Sequence, residues 1–152
     1  MTSHALVPAD RRLGAFARAA VFAALAFALA AAAPCTAAAD YYVSGTQTGV
    51  WDNEGGAYII TGDVTVPAGG ALTIFAGVAV KFYAGRSMIV NGTLTTLGVP
   101  TEPVTFTSSN DPDGDPAPGD WGAIFVQDGG VVDFSNTYMR YGGAGGYANL
   151  CY

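Results

Sequence analysis

From Gly62 onward no stretch of this 152-residue chain is long enough and suitably patterned for a helix. Apolar residues alternate with polar or small ones in runs of three to five, and Gly or Asn-Gly recurs at nearly every break. Val64-Thr65-Val66 ends at Pro67-Ala68-Gly69-Gly70, Leu72-Thr73-Ile74 at Ala76-Gly77, Val78 to Phe82 at Ala84-Gly85, and Met88-Ile89-Val90 at Asn91-Gly92. A period of two is the signature of strands. Gly supplies the positive φ that tight turns demand. The pattern therefore predicts an all-β chain of many very short strands.

Hairpin sandwiches and barrels use strands of about five to six residues with turns every 8–12. Here the breaks come about every six to ten residues, and the strands are shorter. That spacing suits a solenoid, whose coils bend several times and pair with their neighbours. Fifteen inward positions are expected: Val64, Val66, Leu72, Ile74, Val78, Val80, Phe82, Ile89, Leu94, Leu97, Val104, Phe106, Ile124, Val126 and Phe134. Residues 40–63, with Tyr41-Tyr42, Trp51 and a short strand at Tyr58-Ile59-Ile60, read as an N-terminal cap. Residues 64–152 read as the coils.

The N-terminal 39 residues have a different texture. Arg11, Arg12 and Arg18 precede a run from Ala19 to Ala33 made only of Ala, Val, Phe and Leu. That run is shorter than the roughly 20 apolar residues a span needs. It fits the helical apolar core of an export signal, and Ala37 and Ala39 supply an A-x-A site before Asp40. A retained membrane anchor is disfavoured by that site, and a lipid anchor on Cys35 by Pro34 beside it. Twin-arginine export is disfavoured by Leu13-Gly14-Ala15 after Arg11-Arg12. Residues 1–39 are thus expected to be a signal peptide, with membrane contact only in transit. The product is expected to be secreted or on the cell surface by bacterial export.

Charge excludes several functions. Residues 40–152 carry Lys81, Arg86 and Arg140 against eleven acids, a net charge of −8. A surface of that sign repels phosphate backbones, so no nucleic-acid partner is expected. The only histidine is His4, inside the expected signal. Histidine-dependent hydrolysis and His-ligated zinc are therefore not expected of the mature chain. Cys151 is its one cysteine and cannot close an internal disulfide.

Several strings resemble the opening coils of secreted bacterial right-handed parallel β-helix proteins. They are Gly62 to Ile74, Ala76-Gly77-Val78-Ala79-Val80-Lys81-Phe82, Val90-Asn91-Gly92-Thr93-Leu94, Glu102-Pro103-Val104-Thr105-Phe106-Thr107-Ser108, Gly119-Asp120-Trp121-Gly122 and Arg140-Tyr141-Gly142-Gly143. The resemblance implies that fold and an order of coils. It implies no single activity, because the fold carries lyases, hydrolases, adhesins and stalks alike. Such proteins usually continue for many more coils, so the expectation is a fragment, incomplete at its C-terminus, or a chain that associates edge to edge with itself.

Candidate chemistry is sparse. No catalytic residue is assigned, since no paired-acid cluster of the glycosidase kind and no lyase-type acid cluster is evident. Asp111, Asp113 and Asp115 surround Gly114 in a partial match to a D-x-D-x-D-G loop and are the candidate Ca²⁺ ligands, against the alternative of a solvated turn. Trp121 is the candidate carbohydrate-stacking residue, against the alternative of a packed corner. Tyr138 and Tyr141 read as a stacked aromatic ladder, and Asn91-Gly92 as a tight turn. The expected role is a non-catalytic extracellular or surface scaffold of adhesin type, with polysaccharide or a surface protein as partner. The alternative is a polysaccharide-active lyase, glycosidase or carbohydrate-binding module of the same fold.

Overall fold

The computed structural model describes residues 38–152. The expected export signal on residues 1–39 lies outside them except for Ala38 and Ala39. Twelve strands run in chain order: β1 Tyr41–Thr46, β2 Gly49–Trp51, β3 Tyr58–Val66, β4 Ala71–Phe75, β5 Ala79–Phe82, β6 Met88–Val90, β7 Thr93–Leu97, β8 Val104–Ser108, β9 Ile124–Val126, β10 Val131–Ser135, β11 Thr137–Met139 and β12 Leu150–Cys151. A 3₁₀ turn at Ala144–Gly146 is the one helical element among the described residues. Every strand-to-strand pairing is parallel.

The strands form an eight-stranded and a four-stranded sheet. The larger one contains two rows of pairings, because β3 is long enough to serve both. Its residues Tyr58–Ile60 pair with β5 and Val64–Val66 with β6. In the first row Tyr41 faces Tyr58, Tyr58 faces Val80, Val80 faces Phe106 and Phe106 faces Met139. In the second, Gly45, Val64, Met88, Ile124 and Leu150 follow one another. In the smaller sheet Gly49, Leu72, Leu94 and Val132 do the same. Inward positions stack on inward positions across these pairings, which is how alternation along a strand becomes a continuous core.

That core contains twelve of the fifteen expected inward residues, buried from Val64 to Val126. Three differ. Ile89 points outward between buried Met88 and Val90. Leu97 is exposed while Thr96 is buried, held by the hydroxyl of Thr137 at 2.6 Å. Phe134 is only partly covered, because β10 pairs on one side alone. Among the described residues, β10, β11 and β12 all have a strand neighbour on just one side, as do β1 and β2.

The segment 40–63, read from sequence as a cap, joins the sheets. β1 pairs with β3, β2 pairs with β4, and β3 crosses residues 63 and 64 without a break. The aromatic ladder is here rather than at Tyr138 and Tyr141. Tyr58 stacks on Tyr41 at 4.9 Å and on Trp51 at 4.5 Å. Tyr138 instead points outward under the Arg140 guanidinium, and Tyr141 turns toward the core with φ 62°.

Two glycines show what the turns require. At Gly92, in the Asn91-Gly92 turn, a Cβ would collide with the carbonyl oxygens of Pro67 and Gly70. Gly69 has φ +74° in open space, so only its backbone conformation favours glycine.

Candidate functional site

The longest excursion from the sheets is the acidic loop between β8 and β9. Its base is pinned by Asp120. One carboxylate oxygen of Asp120 accepts from the Ser108 hydroxyl at 2.7 Å, the Ala117 amide at 3.2 Å and the Asn110 side-chain amide at 3.3 Å. The Ser108 hydroxyl, followed by the Ala117 amide and the Asn110 side chain, holds the Asp120 carboxyl below its ordinary pKa, against an opposing effect of burial. Ser108 is itself buried in the β8 row, so the loop is anchored to the core side of the sheet. Lys81 reaches up from β5 and donates to the Asp111 carbonyl at 2.7 Å.

The three expected calcium ligands do not converge. The Asp111 carboxylate accepts from the Thr107 hydroxyl at 2.8 Å. Asp113 and Asp115 are exposed. No group of three acidic, cysteine or histidine side chains among the described residues is placed to hold a metal ion. The loop is a hydrogen-bonded turn whose outer carboxylates face water, which suits a Pro- and Asp-rich sequence.

Trp121, the expected carbohydrate platform, is fully buried. Its ring stacks on Phe82 at 4.3 Å and 12°, and its indole N–H donates to the Arg140 carbonyl at 2.7 Å. Gly142 packs so closely on the indole that a Cβ there would meet the ring at 2.9 Å. A sugar cannot reach either face. The Gly119-Asp120-Trp121-Gly122 string therefore has two structural tasks: Asp120 ties down the loop and Trp121 fills the core beneath it.

Two surface features remain. A depression of about 330 Å³ lies between Asn53, Gly55 to Ala57 and Gly77 to Ala79, and its lining carries no ionisable side chain. The four-stranded sheet presents a regular outer face. Leu72, Ile74, Leu94 and Thr96 are buried, so Thr73, Thr93 and Thr95 point away from the core. Thr73 and Thr95 are direct partners, continuing to Val50 on one side and Asp133 on the other. Along one margin Phe75 and Leu97 pair, at 43% and 47% exposure. This face escapes a sequence reading because Thr and Leu recur as ordinary strand formers. Only the register aligns them.

Comparison of the chain with protein-family models, curated proteins and solved structures finds no match.

Proposed function

We propose that this chain is an extracellular or cell-surface scaffold of adhesin type, built as coils of a right-handed parallel β-helix and exported by its N-terminal 39 residues. Three features support the β-helical reading. All strand pairings are parallel, inward residues follow one another along three rows, and partners recur in chain order. Parallel neighbours cannot be joined by a tight hairpin, so the chain must travel round before it pairs again.

The observation that carries the function is the outer face of the four-stranded sheet. It is a regular array with Thr73, Thr93 and Thr95 at its centre and exposed Phe75 and Leu97 at its margin. Short hydroxyls offer hydrogen bonds without a cleft, and the apolar margin adds contact area. Such a face suits a broad, weakly polar ligand such as a polysaccharide sheath or the surface of another protein.

The test is adsorption of labelled protein to polysaccharide-coated beads and to bacterial cells. Wild type should bind, and Phe75→Glu with Leu97→Glu should abolish binding while leaving the circular dichroism unchanged. A wild-type protein that binds nothing, or that releases reducing or unsaturated ends from a polysaccharide panel, would contradict the proposal. Mass analysis of the exported product should find Asp40 as its first residue.

A further inference from the structure

The outward positions of the four-stranded sheet form rows that cross the strands. Val50, Thr73, Thr95 and Asp133 make one row, and Phe75 and Leu97 lie beside it in the next. With strands about 4.8 Å apart, the first row is about 14 Å long. Its hydroxyls are uncommitted. Among the described residues, the threonine hydroxyls hydrogen-bonded within the protein are those of Thr61, Thr96, Thr107 and Thr137. Those of Thr73, Thr93 and Thr95 are not, and all three side chains are half-buried on the outer face. The face is also nearly free of charge. Asp133 is the only ionisable side chain in β2, β4, β7 and β10. Lys81 is on β5 of the other sheet, and Arg86 and Arg140 lie outside the strands.

We propose that this face binds an uncharged polysaccharide, its chain laid along the Thr73–Thr95 row against Phe75 and Leu97; the inference rests on the surface-scaffold reading above and names its ligand. A protein partner brings aromatic or arginine anchors and apolar area to the centre of a contact. The centre here holds short hydroxyls, and covering them without partners costs free energy. A polyhydroxylated chain carries donors and acceptors at close intervals, so each threonine hydroxyl exchanges water for a partner as it is covered. The apolar edges of sugar rings pack on Phe75 and Leu97. Charge then separates one polysaccharide from another. A polyanion needs Arg or Lys to hold its carboxylates or sulfates. This face has neither, Asp133 stands in the row beside Thr95, and the net charge of −8 over residues 40–152 repels polyanions.

The test is binding of the exported chain to cellulose, chitin and starch, with polygalacturonate-coated beads as the anionic counterpart. Binding to at least one uncharged polymer is expected, unchanged as NaCl rises from about 0.01 to 1 M, with none to polygalacturonate. Thr73→Val with Thr95→Val keeps side-chain shape and removes both hydroxyls. It should weaken binding about 25-fold, about fivefold for each hydroxyl, with the circular dichroism unchanged. Thr73→Ser with Thr95→Ser, which keeps the hydroxyls, should bind close to wild type, as should Thr105→Val on β8 of the other sheet. A folded valine variant that binds as wild type does, or equal or tighter binding to polygalacturonate, would overturn the proposal. Adsorption to bacterial cells that Phe75→Glu with Leu97→Glu abolishes, without binding to any uncharged polymer, overturns it and leaves the scaffold reading standing. A folded chain that binds neither polymer nor cells takes both down.

Discussion

Replacing Trp121 with alanine tests the assignment of this residue to the core. A buried aromatic side chain removes 150–250 Å² from water, worth about 4–6 kcal/mol at ~25 cal/mol per Å². Residual compactness of the unfolded chain lowers this by about 10–40%, to roughly 3–5 kcal/mol. That agrees with the 3–5 kcal/mol commonly lost in Trp→Ala changes in cores. The indole hydrogen bond to the Arg140 carbonyl adds about 1 kcal/mol. With a urea slope of about 2 kcal/mol/M, a loss near 4 kcal/mol moves the midpoint down by about 2 M. Trp121→Phe keeps a ring over Phe82 and loses the hydrogen bond and part of the area, so its loss should be about half as large. Equilibrium urea unfolding followed by far-UV circular dichroism measures both. If Trp121→Ala lost less than about 1 kcal/mol, the size of an ordinary surface change, Trp121 would not be the buried core residue described here.

Other consequences are checked in the same way. Gly92→Ala should cost about 1–3 kcal/mol more than Gly69→Ala, because its Cβ meets backbone carbonyls that cannot turn aside whereas Gly69 faces open space; equal losses in urea titrations would contradict the close approach. Asp120 has a folded pKa below its unfolded value, so its contribution is complete above the ordinary Asp pKa of about 3.9 and is lost as pH falls through the lower folded value. The stability gap between wild type and Asp120→Asn should accordingly stay level down to about pH 5 and narrow below about pH 4, as thermal unfolding across pH would show. Tyr58 has its hydroxyl pKa raised chiefly by burial, so stability should fall as pH rises above about 10, and Tyr58→Phe should flatten that limb. Millimolar Ca²⁺ should leave the thermal midpoint in place, since Asp111 is committed to Thr107 and no metal-holding group forms among the described residues; a raised midpoint would restore the loop as a calcium site by linkage.

Strand content was legible because alternation and glycine punctuation are local. Val64, Val66, Leu72 and Ile74 could be placed inward from their own neighbours. Parity failed where a run carries no internal contrast. Met88-Ile89-Val90 is apolar throughout, so only its pairing with Val64–Val66 decides that Ile89 is outside. Leu94 and Leu97 are three apart and cannot share one face of a strand, and the register with Leu72 and Phe75 puts Leu97 outside. The strands β1 and β2 were hidden by their loops: Ser44-Gly45 and Asp52 to Gly56 suggest irregular structure, while the strands between them are short. The loop chemistry was also long-range. Asp120 and Ser108 are twelve residues apart and meet only because β8 and Trp121 hold both ends of the excursion. The candidate calcium ligands were chosen by spacing, which does not say where a carboxylate turns.

The central claim, that strands distant in the chain pair in parallel register, is tested most directly by cysteine pairs in a Cys35→Ser, Cys151→Ser background. Thr73 and Thr95 are direct partners across β4 and β7. The structure predicts that Thr73→Cys with Thr95→Cys forms an intramolecular disulfide rapidly and nearly completely. Thr73→Cys with Thr93→Cys, one diagonal step away, should do so slowly or not at all. Preferential closure of the 73–93 pair, or closure of neither within the monomer, would contradict parallel in-register stacking.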